Sequence, residues 1–243
     1  MPRTAAALII GNEILSGKIR EGNLHVLARE LRLLGVNLRR VVVCADDVET
    51  IADDLTSLRG RHDIVFTSGG VGPTHDDVTL ASVARSFGRP LVRSDEIERL
   101  IRSYWGDRIT EGHLRMATIP EGASLFSSDE LRWPVIAVEN VYVLPGVPQI
   151  FEAKLRLLRD VIGADTPYVS RALYTLADEG SIAAILEATE ARHPTVAIGS
   201  YPRWREERFR VKVTFDGLDP AAVEAALTKC CAAIGEDDIV EVE

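Results

Sequence analysis

The first 88 residues repeat one pattern three times: a short apolar run, a loop, then a stretch with apolar residues at helical spacing. Residues 5–10, Ala-Ala-Ala-Leu-Ile-Ile, contain no polar position and stop at Gly11. A strand with one wet face alternates, so an unbroken run marks a strand covered on both faces. Residues 24–34 follow, with Leu24, Leu27, Ala28, Leu31 and Leu34 at helical spacing and Gly35 as the closing residue. Residues 38–43 and 64–67 read as further strands. Residues 48–58, with Ile51, Leu55 and Leu58 on one face, and 79–87, ended by Gly88, read as further helices. Strands that alternate with helices imply crossover connections. The expected fold is therefore α/β, three-layered, with a mostly parallel sheet covered on both faces.

Residues 94–105 read as another helix, 135–138 and 141–144 as a strand pair around Glu139-Asn140, and 147–158 as a helix. Residues 114–119 fit helix or strand. The segment 163–167, Gly-Ala-Asp-Thr-Pro, is small, polar and Pro-containing, and the net charge steps from −3 over 1–165 to −6 over 166–243. It predicts a boundary there, with a domain over 1–165 and a second over 166–243. The second reads as strand (168–176), helix (181–191), strand (195–201), strand (209–215), helix (221–234) and strand (239–242), a small α+β sandwich of the ferredoxin-like type.

Composition narrows the function classes. The net charge of −9 is opposite to that of a nucleic-acid binder, so no nucleic-acid partner is expected. No apolar run approaches the roughly 20 residues that cross a bilayer, so no membrane partner is expected either. Cys44, Cys230 and Cys231 form no disulfide framework, and residues 1–11 make no signal peptide. A cytoplasmic protein that forms a homo-oligomer is expected. The five histidines show no zinc spacing, and neither C-x-x-C nor G-x-S-x-G is present. Cys44 ends a strand and reads as core. The second domain lacks the Gly-x-x-Gly clamp of K-homology RNA binders.

The segment with most chemistry is 67–79, Thr-Ser-Gly-Gly-Val-Gly-Pro-Thr-His-Asp-Asp-Val-Thr. Gly69, Gly70 and Gly72 follow a buried strand and precede a helix. Successive N–H groups in such a turn can cradle an anion, and the helix N-terminus adds positive potential. Asp76 and Asp77 would repel a phosphate unless a divalent cation bridges them. As caps, one aspartate would suffice. Asp46-Asp47 precedes the second helix and fits capping or ligand binding equally. Gly11-Asn-Glu-Ile-Leu-Ser-Gly17-Lys18 is no P-loop, because five residues separate its glycines and Ile19 stands in place of Ser or Thr. It remains a loop at a strand's carboxyl end that carries Glu13. Residues 144–148, Leu-Pro-Gly-Val-Pro, form a rigid turn that can present backbone N–H groups. In the second domain Tyr201 and Arg203 precede Trp204, Arg205, Arg208 and Arg210, a set that could clamp a base and phosphates. Glu206 and Glu207 halve that charge and favour a solvated hairpin.

Taken together, residues 11–17, Asn23, Asp46-Asp47, residues 68–79 and residues 144–148 resemble the molybdopterin-binding (MoCF) domain of CinA-type competence-damage-inducible proteins. The same domain forms the N-terminal half of eukaryotic FAD synthases. Residues 178–183 and 198–202 resemble the small K-homology-like domain that follows it. The resemblance implies a nucleotide or pterin ligand at the sheet's carboxyl edge. The family includes proteins that hydrolyse the pyrophosphate of ADP-ribose or FAD with a divalent metal, and more distant relatives adenylylate molybdopterin or insert molybdenum. It implies Asp46 and Asp77 as catalytic carboxylates. A divalent metal (Mg²⁺, Mn²⁺ or Co²⁺) would sit on Asp46, Asp76 and Asp77, and in the distant activity molybdopterin would be the ligand. The implied ligand contacts are Gly11, Glu13, Asn23, Ser68, Gly69, Gly70, Gly72, Pro73, Thr74, Thr79, Pro145, Gly146, Pro148, Tyr201 and Arg203. The expected activity is metal-dependent hydrolysis of a nucleotide-sugar or dinucleotide pyrophosphate. The alternatives are molybdopterin binding or adenylylation, and a non-catalytic nucleotide-binding module.

Overall fold

The apolar run at residues 5–10 lies in β1 (Thr4–Ile10), and its six residues are at most 1% exposed. The computed structural model describes residues 3–163, 166–203 and 208–243. The chain divides into two compact units, Met1–Asp165 and Thr166–Glu243. In the first, β1 is followed by α1 (Asn12–Leu15), α2 (Asn23–Leu33), β2 (Asn37–Cys44), α3 (Val48–Arg59), β3 (Ile64–Ser68) and α4 (Thr79–Ser86). Then come β4 (Leu91–Arg93), α5 (Asp95–Trp105), α6 (Glu111–Arg115), β5 (Thr118–Pro120) and β6 (Ser124–Phe126). The unit ends with β7 (Val135–Val138), β8 (Val141–Leu144), α7 (Pro148–Leu157) and α8 (Arg159–Ile162).

The main sheet has the order β2-β1-β3-β8-β7-β6. Its first four strands are mutually parallel, and β7 and β6 pair antiparallel. Alternate residues of β1 feed two cores. Ala6, Leu8 and Ile10 pack with Ile51 and Leu55 of α3, Val83 of α4 and Ile97 of α5. Ala5, Ala7 and Ile9 pack with Leu27 and Leu31 of α2 and Phe151 and Leu155 of α7. Each Leu, Ile or Phe so enclosed contributes about 1.5–3 kcal/mol, which is why both helical layers are held so firmly. The three-layer α/β expectation is met.

The register brings the strand ends together. Ile10 pairs with Cys44, Ile9 with Ser68, and Ser68 with Leu144. The loops that follow β1, β2, β3 and β8 therefore leave from one edge. Burial pushes the Cys44 thiol up to about 12, with Asp54, Asp46 and Asp47 adding to the effect. It stays protonated at neutral pH and serves as core.

The sequence missed the shortest elements. Residues 11–18 hold one helical turn, α1, and β4, β5 and β6 are three residues each. Three residues carry no periodicity to read. Residues 114–119 fit two patterns because they belong to two elements, the end of α6 and the start of β5.

The second unit runs β9 (Val169–Thr175), α9 (Glu179–Arg192), β10 (Ala197–Pro202), β11 (Val211–Gly217), α10 (Pro220–Ile234) and β12 (Ile239–Val242). The antiparallel order β10-β11-β9-β12 in this succession is the ferredoxin-like arrangement. Val211, Val213 and Phe215 alternate inward onto Val223, Ala226 and Leu227 of α10. Trp204, Arg205, Glu206 and Glu207 of the expected hairpin lie outside the described residues, as do Ala164 and Asp165 of the expected boundary. Among the described residues no helix is long and apolar enough to cross a membrane.

Lys154 is buried in α7, and its Nζ donates to the Pro134 carbonyl. Burial lowers its pKa from 10.5 to about 8. Between those values the unfolded chain binds more protons than the folded one, so this group makes stability rise with pH across that window. The burial penalty is complete below about pH 8. Urea unfolding of wild type and Lys154→Met, at about pH 7 and about pH 10, should show wild type gaining up to about 3 kcal/mol on the variant. A constant difference between them would mean that Lys154 titrates normally.

Candidate functional site

The loop from Gly69 to Val78 joins β3 to α4 and is fixed by its own backbone. Gly69 has φ +111°, and a Cβ there would lie 2.2 Å from the Ile10 carbonyl oxygen. Only glycine lets the chain pass over the end of β1. Gly70 has φ +62°, and its Cβ would meet Thr79 Oγ1 at 2.5 Å. Thr79 is fully buried and returns the helix start to the turn. Its Oγ1 donates to the Gly69 carbonyl (2.8 Å) and its N–H to the Gly70 carbonyl (3.1 Å).

These bonds sort the loop's donors. The Gly69 N–H goes to the Leu144 carbonyl (3.2 Å) and the Thr74 N–H to Asp77 Oδ2 (2.8 Å). Pro73 has no N–H. Among the described residues none accepts from the N–H groups of Gly70, Val71 or Gly72. The cradle expected in this glycine-rich turn thus narrows to three successive donors.

The carboxylates divide by role. Asp47 is the N-cap of α3 and accepts from Thr50 N–H (2.9 Å) and Thr50 Oγ1 (2.7 Å), which hold its carboxyl below the usual range. Asp46 Oδ2 accepts from the Asn12 N–H (2.7 Å), at the start of α1, where Gly11 has no side chain to cap. Each of the pair therefore serves a different helix start. Asp76 and Asp77 do neither. The N-cap of α4 is Val78, with no side-chain cap. Instead Asp76 Oδ1 and Asp77 Oδ2 both face Thr74 Oγ1. A hydroxyl has one proton, so it can donate to only one of them at a time. The Thr74 hydroxyl holds the Asp76 carboxyl below the usual range, helped by the Asp76 N–H and by His75.

Among the described residues no three His, Cys, Asp or Glu side chains gather into a group that could hold a metal ion. A magnesium-type cation needs only one or two carboxylates when water and phosphate supply the rest. The Asp76–Asp77 pair, Asp76 exposed and Asp77 half-buried with one Thr74 hydroxyl proton between them, fits such an ion by its chemistry.

Of the other expected contacts, Glu13 folds its carboxylate over Gly11, where a Cβ would lie 2.6 Å from Oε1. Pro148 opens α7, and Gly146 approaches the Gly69 loop, a Cβ on it lying 3.5 Å from the Gly69 Cα. Asn23 is buried, and its Nδ2 donates to Ser68 Oγ (2.9 Å) and to the Gly146 carbonyl (2.9 Å). It ties three of the edge segments together. Tyr201 and Arg203 belong to the second unit, where with Lys212 they line a cavity of about 570 Å³. Arg208 pairs with Glu241 at the surface (2.5 Å). Sequence reasoning missed Arg115 and Met116, which line a cavity of about 210 Å³ with Gly70, Gly72 and Asp77. They follow the loop at long range, inside the segment whose pattern is mixed, so no local signal marks them.

Residues 6–163 match the family model described as a probable molybdopterin binding domain, and residues 167–243 match that of the FAD synthase middle domain. The chain belongs to the MoCF family. It is 35% identical to a probable FAD synthase of Caenorhabditis elegans, over 93% of this chain and 49% of that protein. It is also 35% identical to a CinA-like protein of Gemmatimonas aurantiaca, over 68% of this chain and 42% of that protein. The MoCF chain therefore spans about half the length of these relatives. The crystal structure of the protein CinA from Thermoplasma acidophilum matches with a TM-score of 0.62 and 30% identity, over 67% of this chain and all of that one. The resemblance carried by the motifs is borne out.

The Asn23 tie is testable in this MoCF unit. Asn23→Ala strands the buried Ser68 hydroxyl and the Gly146 carbonyl and should cost about 1–3 kcal/mol in urea unfolding. Asn23→Asp should cost no less, because a carboxylate cannot donate to Gly146. A change within about 0.5 kcal/mol for both would show the tie to be dispensable.

Proposed function

We propose that this MoCF protein hydrolyses the pyrophosphate bond of a nucleotide sugar or dinucleotide of the ADP-ribose or FAD type, with a divalent cation (Mg²⁺, Mn²⁺ or Co²⁺). The observation that carries this reading is the sequence of groups on one loop. Three free N–H groups at Gly70, Val71 and Gly72 suit phosphate oxygens, and the Asp76–Asp77 pair beside them suits a hard cation. The name of the worm relative, a probable FAD synthase, supports a nucleotide ligand.

In this reading Asp76 and Asp77 would hold the cation, which when bound polarises a phosphoryl oxygen and lowers the pKa of water. The N–H groups of residues 70–72 bind the non-bridging oxygens and stabilise the charge that develops on them. Asp46 holds α1 through Oδ2 and keeps Oδ1 for a water or the ligand. Asn23 keeps the Gly146 turn beside the cradle. A small molecule as substrate, in a cytoplasmic homo-oligomer, is the setting that suits this chemistry. The family description favours a second reading, molybdopterin binding or adenylylation, in which the same donors hold the pterin's phosphate.

The test is incubation of the full chain with ADP-ribose, FAD, NAD or molybdopterin, each with Mg²⁺, Mn²⁺, Co²⁺ or a chelator. AMP release that needs the cation is the expected result. Asp77→Asn should lower turnover by about 100-fold with little change in Tm, because Asp77 caps no helix and a neutral ligand binds a hard cation poorly. Near wild-type hydrolysis in both Asp76→Asn and Asp77→Asn at saturating metal would sink the reading. Retained molybdopterin without AMP release would support the second.

A further inference from the structure

Strand edges that could pair with another chain are blunted in both large sheets, with one exception. In the main sheet β2 bulges at Arg39 and exposes Arg39 and Arg40, and β6 has three residues. In the second sheet β12 has four residues, a register shift and Glu241. Short strands, bulges and charges are the devices that keep an edge from pairing. β10, the other edge of the second sheet, has none of them. Its six residues, Ala-Ile-Gly-Ser-Tyr-Pro, carry no charge and pair with β11 in unbroken register.

The hydrogen-bond phase shows which groups this edge leaves free. Just beyond β10 the Arg203 N–H donates to the Arg210 carbonyl (2.8 Å), and the same register makes Tyr201 and Lys212, Gly199 and Thr214, and Ala197 and Asp216 the bonded pairs. Ile198, Ser200 and Pro202 therefore turn their backbone groups outward, and among the described residues no backbone group pairs with them there. Pro202 offers a carbonyl only, so pairing stops at it. An edge that presents N–H and C=O in alternation is matched by a second peptide backbone. A phosphate chain only accepts, and leaves the carbonyls unmet.

The side chains beside the edge set the partner's charge. A cavity of about 570 Å³ is lined by Ser200, Tyr201, Pro202 and Arg203 on the edge and by Lys212 and Thr214 on β11. No carboxylate lines it, although the net charge of the unit is −6. Among the described residues neither cation has a carboxylate partner, and Lys212 rests 5.0 Å over the Tyr174 ring. Tyr201 lies across Gly199, where a Cβ would come within 3.0 Å of its hydroxyl, and is 54% exposed. It gives the stems of neighbouring side chains an apolar surface.

We infer that β10 is a docking edge for an extended acidic peptide segment of another protein, which adds a fifth strand to the sheet and sets its carboxylates on Arg203 and Lys212. The inference does not depend on the hydrolase reading. It gives Tyr201 and Arg203 to a protein partner, where the family resemblance gave them to a nucleotide. A second copy of β10 is the poorer occupant, because a two-fold seam would line up Arg203 and Lys212 of both copies with no carboxylate between them.

The test is fluorescence anisotropy of the full chain with a labelled peptide of about ten residues in which Glu alternates with Val, long enough to span the edge. The controls are the same peptide with Lys for Glu, the same peptide N-methylated throughout, and a uridine oligonucleotide of equal charge. Wild type should bind the acidic peptide about tenfold or more tightly than any control. Arg203→Glu and Lys212→Glu should each lower that affinity about tenfold with Tm unchanged, and Ser200→Pro, which removes an edge N–H, should do the same. Equal binding of the N-methylated peptide would overturn the inference, since charge alone would then suffice. Equal binding of the oligonucleotide would overturn it in favour of a phosphate groove. No binding of the acidic peptide, or an affinity that survives both charge reversals, would overturn it as well. Sedimentation of the chain alone completes the test: a dimer that Ser200→Pro abolishes would assign the edge to a second copy and overturn the peptide partner.

Discussion

The parallel pairing of β1 with both neighbours is the constraint on which the rest depends. A parallel strand cannot be reached by a tight turn, so each return crosses a face of the sheet in a helix. The result here is that Ile10, Cys44, Ser68 and Leu144 end at one edge, although the sequence scatters them over most of the first unit. Loops with no sequence relation are thereby neighbours. Asp46 can reach the Asn12 N–H, and Asn23 can reach Ser68 and Gly146, only because the register is shared. A slip of one residue in β1 would exchange its two cores, since Ala5, Ala7 and Ile9 face one and Ala6, Leu8 and Ile10 the other. The buried faces therefore protect the site's geometry as well as the fold.

Electrostatics at that edge explains how an acidic chain could carry the proposed anion cradle. The attraction comes from backbone dipoles, which the net charge of −9 does not count. Four local aspartates oppose it, yet Asp46 and Asp47 already have N–H donors. Asp77 also accepts from the Thr74 N–H, but Asp76 and Asp77 share a single Thr74 hydroxyl proton between two carboxylates. That deficit is local and adjacent to the free N–H groups, which is the arrangement a cation shared with a phosphate would complete.

The sequence made the layers and the main loops legible because their signals are local. An apolar run needs only its own six residues, and the glycines of residues 69–72 announce a turn by themselves. The roles of the aspartates were less legible. Asp46-Asp47 reads as one cap with a carboxylate to spare, and the structure gives each residue a different helix. Asp76 reads as a capping candidate, but the turn closes on Thr74 and leaves α4 without a side-chain cap. Capping residues are identified by where a helix starts, and a helix start is known from sequence only to a few residues. Arg115 and Met116 were not legible at all. What places them beside Gly72 is the meeting of β5 with α4, a long-range contact with no periodic trace.

Why the donors of residues 70–72 stay free is the last step. A flexible loop that carries its own carboxylates tends to consume its N–H groups internally, as the bond from Thr74 N–H to Asp77 shows. For residues 70–72 that collapse is blocked from both sides. Thr79 holds the carbonyls of Gly69 and Gly70, the Leu144 carbonyl holds the Gly69 N–H, and the rigid ring of Pro73 separates Gly72 from the Thr74 turn. The positive φ at Gly69 and Gly70 then turns the following N–H groups away from the ladder that ended at Ser68. Ordering costs about 1–2 kcal/mol per residue, and here it is met in the folded protein before any ligand arrives. A ligand that meets donors already fixed gives up less of its binding energy to ordering them. The two glycines thus do more than permit a turn: with Thr79 they keep three polar groups unspent at the one edge where four strands end.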